Sequence, residues 1–382
     1  LKDFPNHAPV DKTLAAFSKL IVISTVFLIF VGGHTTTSGA GMAFADWPLS
    51  AGSLNPEGWW GDLLQRLEHG HRLTAETVGL LVGILCAWVW RSKWAVPASA
   101  LGSILVAGTA RLMGYSGPAI AHLGLWSSVI IFLAVLGLSR SRGGQLPSLC
   151  RWLSVAAFLG VCVQALMGGF RVTLESGGDV RSATLLRVIH GCFAQFELCL
   201  LVAIATLLSP RWRLRQWKQS WVGIGKWGWF AAACVYMQLC VGATMRHLGA
   251  GLAIPTFPAA SASGEWLPSV ASPLVHLNFT HTRVGALVVS IALLIVGWKA
   301  FKAGVPEGLR MPLGAMALML VVQWGLGIAV IWHHRPLLPT TAHVVNGALL
   351  LAGTVWMSLT ATLKPVGPRG GAGVISKAEG VM

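Results

Sequence analysis

Stretches of mostly apolar residues, each close to the roughly 20 an α-helix needs to cross the hydrocarbon of a bilayer, recur along almost the whole of this 382-residue chain. They fall near residues 15–33, 71–90, 95–113, 119–138, 151–169, 188–208, 223–243, 277–298, 311–332 and 341–361. No alternation of polar and apolar residues argues for strands, and in lipid it is helices that can satisfy every backbone N–H and C=O internally. Hydrophobic residues make up 54% of the chain and charged ones 11%, too little polar surface for a soluble globule of this size. The expected fold is an all-α polytopic membrane protein with about ten spans.

Charge orients these spans. Of the 28 Lys and Arg residues, all but Arg66, Arg72, Arg111, Arg171, Arg181, Arg187, Arg246, Arg283 and Arg335 fall on the side that holds both chain ends. The positive-inside bias makes that side cytoplasmic, in a multi-pass cell-membrane protein. The net charge of +15 and pI near 10.2 then reflect short loops facing anionic lipid, and nucleic acid is not an expected partner. None of the seven cysteines lies in a long outer loop and no CxxC occurs, so neither a disulfide framework nor a zinc site is expected. The first apolar run is read as a helix rather than a cleaved signal, because the chain beyond it is repeated behind a later span. The Gly-rich tail, residues 364–382, reads as disordered and cytoplasmic.

The repeat organises everything else. Gly32-Gly33-His34 through Ser38-Gly39-Ala40-Gly41-Met42-Ala43 to Trp47-Pro48 aligns without a gap, at an offset of 210, with Gly242-Ala243-Thr244 through Leu248-Gly249-Ala250-Gly251-Leu252-Ala253 to Phe257-Pro258. The same offset carries His71 onto His281. Each half continues with a Gln before a Gly-rich helix end, Gln164 with Gly168-Gly169 and Gln323 with Gly325 and Gly327, and closes on a helix opening with His190 or His343. The first half is longer between its histidines, the surplus falling at about 95–140, where an extra helical hairpin fits. Two four-helix bundles, residues 1–208 with that hairpin and 209–363, are the expected architecture.

A histidine within a span is costly unless paired, hydrated or liganded. One alone at a helix start is ordinarily bonded to a loop or headgroup, but here the second and fourth helix of each half carry one each, all at the outer end. Facing imidazoles on antiparallel helices suit the two axial positions of a heme iron, with small residues such as Gly79, Gly83, Gly168 and Gly169 leaving room for the macrocycle. Zinc, which wants four close ligands, lacks carboxylate or thiolate partners at suitable spacing. Glu68 lies one turn before His71, whereas the matching position in the second half is Asn278. A carboxylate beside one pocket and an amide beside the other marks the first as the reactive one, Glu68 taking a proton or stabilising positive charge. Alternatively, Glu68 caps the helix or pairs with Arg72.

These motifs, with Glu68-His69-Gly70-His71-Arg72, Arg246-His247 and the closing segment around Ala342-His343 and Gly347-Ala348, resemble the heme A synthase family over nearly all of the chain outside 95–140 and the tail. The resemblance implies an oxidoreductase that oxidises a methyl group of heme O to the formyl group of heme A for cytochrome oxidase assembly. It implies His71 and His190 as ligands of the substrate heme, His281 and His343 as ligands of heme b, and Glu68 as the functional acid. Heme O synthase and a terminal oxidase are the partners that follow; the electron acceptor is not named. Three departures stand against it. The hairpin exceeds the usual eight-helix plan, and its His122 is a rival first-half ligand, although the Gln-Gly-Gly approach favours His190. A cysteine pair found in the first outer loop of some members is missing. Thr282 separates His281 from Arg283, whereas His71 and Arg72 are adjacent.

His69 and His276 are off the ligand register, and His34, His247, His333 and His334 fall in outer loops, solvated or binding propionates. Arg72, Arg246 and Arg283 are candidates for heme propionates or lipid phosphate. Tryptophans such as Trp59, Trp60, Trp212, Trp217 and Trp221 read as part of an interfacial belt. A non-catalytic diheme b-type electron-transfer protein would use the same four histidines, and a repeat-built transporter lacks an obvious midplane charged pair.

Overall fold

The computed structural model describes residues 11–139, 148–214, 217–304 and 307–364; the tail beyond Lys364 lies outside them. The helices are α1 (Lys12–Thr37), α2 (Leu63–Val89), α3 (Ala95–Leu112), α4 (Gly117–Leu138), α5 (Ser148–Ser176), α6 (Val180–Leu208), the short α7 (Pro210–Leu214), α8 (Trp221–His247), α9 (Pro273–Phe279), α10 (Ala286–Lys302), α11 (Glu307–Trp332) and α12 (Leu337–Thr362). A π-helical turn, Thr280–Gly285, fuses α9 to α10. With that fusion counted as one, ten helices among the described residues are long and apolar enough to cross a membrane, and no strand forms there. The chain is a polytopic all-helical membrane protein.

Several helices begin before the apolar runs that announce them: α2 at Leu63 rather than 71, α6 at Val180 rather than 188, α12 at Leu337 rather than 341. Polar caps explain the extra turns of α2 and α6, whereas α12 starts behind Pro336 with no side-chain cap. Asp62 accepts the Gln65 N–H at 2.8 Å and Asp179 the Ser182 N–H at 3.0 Å, so helix forms in residues too polar to read as span. Hydrogen bonds from the Ser182 side chain and backbone hold the Asp179 carboxyl below its ordinary range. Consequently His71, His190, His281 and His343 do not open their helices; they stand about two to three turns inside them.

Packing forms two rings. In the first, α1 touches α2 and α6, and α5 touches the same two; in the second, α8 touches α10 and α12, and α11 touches the same two. The rings meet through α1, α6, α8 and α12. Ile29, Leu198, Ala231, Val289, Ala348 and Leu351 belong to one continuous core across that seam. The α3–α4 hairpin lies at the edge of the first ring, where Cys86 and Ala87 of α2 and Phe158 of α5 meet Ala95, Phe132 and Leu136. Phe132 and Phe158 place their ring centres 4.4 Å apart.

Within lipid, helices gain little from apolar burial alone, so close approach at small residues matters. On α8, a β-carbon at Gly225 would stand 2.9 Å from the Thr362 backbone nitrogen, and one at Gly228 would stand 2.5 Å from Ser358 Oγ. Gly225→Leu is therefore expected to part α8 from α12 at a cost of about 1–3 kcal/mol, read as a lowered unfolding midpoint in detergent. An unchanged midpoint would refute the close packing.

A candidate paired-histidine site

In each ring the two histidines come from helices that do not neighbour one another: α2 and α6 stand diagonally in the first, the π turn and α12 in the second. In the second ring the two side chains meet across the interior. His281 and His343 place their ring centres 6.3 Å apart with planes at 71°. With a metal–nitrogen bond of about 2 Å, two imidazoles on opposite sides of one iron have centres about 6 Å apart. His71 and His190 stand on the diagonal helices α2 and α6 of the first ring, each against a glycine of the helix beside it.

Every one of these imidazoles is seated on a glycine of a neighbouring helix. A β-carbon would stand 2.9 Å from His71 Cε1 at Gly32, 2.6 Å from His281 Cε1 at Gly242, 3.3 Å from His343 Cε1 at Gly327 and 3.6 Å from His190 Cε1 at Gly168. In all four, Nδ1 is buried without a hydrogen-bond partner. Such a nitrogen is costly unless a bound group or ordered water accounts for it. Gln164 donates to the His190 carbonyl (3.2 Å), and Gln323 to that of His343 (3.1 Å). Among the described residues no three His, Cys, Asp or Glu side chains gather as an ion site. The donor set is thus two pairs of imidazoles with a backbone cut away beside them, which fits an iron porphyrin between each pair.

Above each pair, a loop is clasped from the histidine's own helix. Arg72 donates to the carbonyls of Asp46 (2.8 Å) and Leu49 (2.7 Å), and Arg283 to those of Thr256 (2.6 Å) and Ala259 (2.8 Å), the same loop positions at the offset of 210. Arg283 reaches this place despite the extra Thr282 because the π turn absorbs one residue. Gln238 donates to the His281 carbonyl within that turn at 2.7 Å, and Gly285 leaves room for its side chain. The arginines suggested for propionates are thus engaged with protein, as is Arg246, which donates to the Gly33 carbonyl (2.9 Å) and Thr37 Oγ1 (2.6 Å).

Glu68 and Asn278 brace the same loops with opposite polarity. Glu68, 3% exposed, accepts the Phe44 N–H at 2.9 Å and holds Arg72 at 2.6 Å, so the Arg72 pairing open in the sequence is formed and Asp62 is the cap. Asn278, fully buried, instead donates to the carbonyls of Ala250 (2.8 Å) and Gly251 (3.1 Å). His69 bonds Ser50 at 3.0 Å and packs on Trp59, away from the pair. His122 packs on Trp47, ring centres 5.3 Å apart, and Trp47 in turn lies against Gly169. Gly79 and Gly83 face Val161 and Phe158, so they serve helix packing rather than a pocket. Gly32 and Gly242 are the seats missed by spacing arguments, though the offset of 210 relates them.

Removing one partner of a buried ion pair costs about 3–5 kcal/mol. Arg72→Ala is expected to free the loop at residues 40–50 and speed its limited proteolysis; an unchanged cleavage rate would show that the clasp is dispensable.

The chain is 24% identical to the heme A synthase of Nitrosomonas eutropha over 92% of this chain and 93% of that one. It is 24% identical to the heme A synthase of Erythrobacter litoralis (90% and 95%) and 21% identical to that of Alkalihalophilus pseudofirmus (92% and 99%). The sequence profile of the cytochrome oxidase assembly protein family matches residues 121–355, more than half of the chain and three of the four paired histidines. This chain belongs to that family, the one its heme A synthase relatives represent.

Proposed function

We propose that this chain is an oxidoreductase that converts heme O to heme A, taking a porphyrin methyl group to a formyl group. The observation that supports the reading most directly is the pair of ring interiors, each crossed by two imidazoles seated on glycine with Nδ1 unsatisfied. In this reading His71 and His190 hold the substrate heme, and His281 and His343 hold a resident heme b. A bound heme b supplies one-electron redox chemistry. Gly32 and Gly168 seat the two imidazoles that would hold the substrate.

Glu68 is the acid–base group of the first pocket. Arg72 holds one carboxylate oxygen and the Phe44 N–H is donated to the other, which fixes the position of the carboxylate beside His71 on α2. Asn278 cannot accept a proton at the second pocket, where only holding is required. We read residues 1–208 as the substrate-heme unit, with the 95–140 hairpin appended, and 209–363 as the heme b unit. In this reading both termini are cytoplasmic and the clasped loops lie outside the cell membrane, which the positive-inside bias supports. Heme O synthase would deliver the substrate and a terminal oxidase would receive the product.

Extraction and mass analysis of the pigment from the purified protein tests the reading. Heme O or heme A beside heme b is expected; heme b alone would favour a diheme electron carrier. Glu68→Gln is expected to leave the heme absorption in place while heme A formation falls by about 100-fold or more. Undiminished formation would remove Glu68 from the chemistry.

A further inference from the structure

Glu197 lies near the middle of α6, seven residues beyond His190, two turns along the same helix face. It is 4% exposed, and neither carboxylate oxygen has a hydrogen-bond partner. The α5 wall opposite is cut back to receive it, since a β-carbon at Gly160 would collide with Oε2. Further up that wall, Gln164 and Gly168 attend His190. One face of α5 thus serves both the histidine and the acid below it. Among the described residues no charged group of α1, α5, α8 or α12 pairs with it.

Packing alone does not call for an acid here. Seven residues beyond His343, the corresponding place on α12 holds Leu350, which is 2% exposed. Where α5 has Gly160, eight residues before Gly168, α11 has Met319, eight before Gly327. A leucine over a larger residue fills this depth in one ring, while a carboxyl over a glycine fills it in the other. An isolated carboxylate is strongly disfavoured in such a setting against the neutral acid, and an intramembrane acid kept at that cost marks function.

We propose that Glu197 is a proton-exchanging residue of the first pocket, a neutral acid that releases its proton when an electron is withdrawn from the site between His71 and His190. The electron goes to an external one-electron acceptor, the carboxyl O–H bond breaks, and the proton passes to water at the outer face. The ring's net charge is then unchanged, so oxidation places no uncompensated positive charge in low dielectric. The inference rests on the reading that this pair binds heme, and it gives the first ring a proton-linked site that the second lacks.

Dicyclohexylcarbodiimide, an apolar reagent for protonated carboxyls, tests this on the full-length heme-loaded protein. At neutral pH, peptide mass analysis should find Glu197 modified after reduction with dithionite and modified at least about fivefold less after oxidation with ferricyanide. In a redox titration, the midpoint of the first-pocket heme should fall with rising pH, and Glu197→Gln should flatten that dependence while leaving the heme absorption intact. Equal modification in both states, no modification after reduction, or a pH dependence that survives Glu197→Gln would overturn the proposal with the heme reading untouched. A protein without heme absorption would overturn both.

Discussion

The protein depends on bringing polar rings to rest inside lipid without leaving them unaccompanied. Glycine makes the room, at Gly32, Gly168, Gly242 or Gly327, and a glutamine on the neighbouring helix ties down the carbonyl of His190 or His343, while the ring Nδ1 atoms are left without a protein partner. That contact forces helices to approach at a given height, and the height fixes the loops above. Arg72 and Arg283, one turn from the buried Glu68 and Asn278, then fasten those loops to the same helices. The order of causes runs from the ring nitrogen outward.

Much of this is legible in the sequence. The apolar runs announce all ten spans, and a gapless register of 210 relates Gly32 to Gly242 and His71 to His281 before any coordinates are known. Helix starts are less legible, because Asp62 and Asp179 nucleate turns among residues whose polarity hides them from a hydropathy reading. The spacing of His281 and Arg283 looks like a broken motif in one dimension. In three dimensions the π turn takes up Thr282 and returns the guanidinium to its loop. Glycines illustrate a different limit: Gly79 and Gly32 look alike in the sequence, yet one meets Val161 and the other a histidine, and only the rotation of each helix decides which.

The two rings are similar in scaffold and unlike in chemistry. Glu68 and Glu197 belong to the first ring, and their counterparts in the second are Asn278 and Leu350, an amide and an alkane. Glu197 goes unremarked in the sequence reading, because what sets it apart, the lack of a hydrogen-bond partner among the described residues, is a property of packing. The hairpin α3–α4 adds to the first ring alone and, through His122, touches the loop that holds Trp47, which places the additional helices beside the ring with Glu68 and Glu197.

Arg246 belongs to α8, yet it bonds the carbonyl of Gly33, the residue next to the seat of His71. Four residues before it on the same helix is Gly242, the seat of His281. One turn of α8 therefore has a hand on both imidazole supports, so a rotation or slide of that turn displaces both seats together.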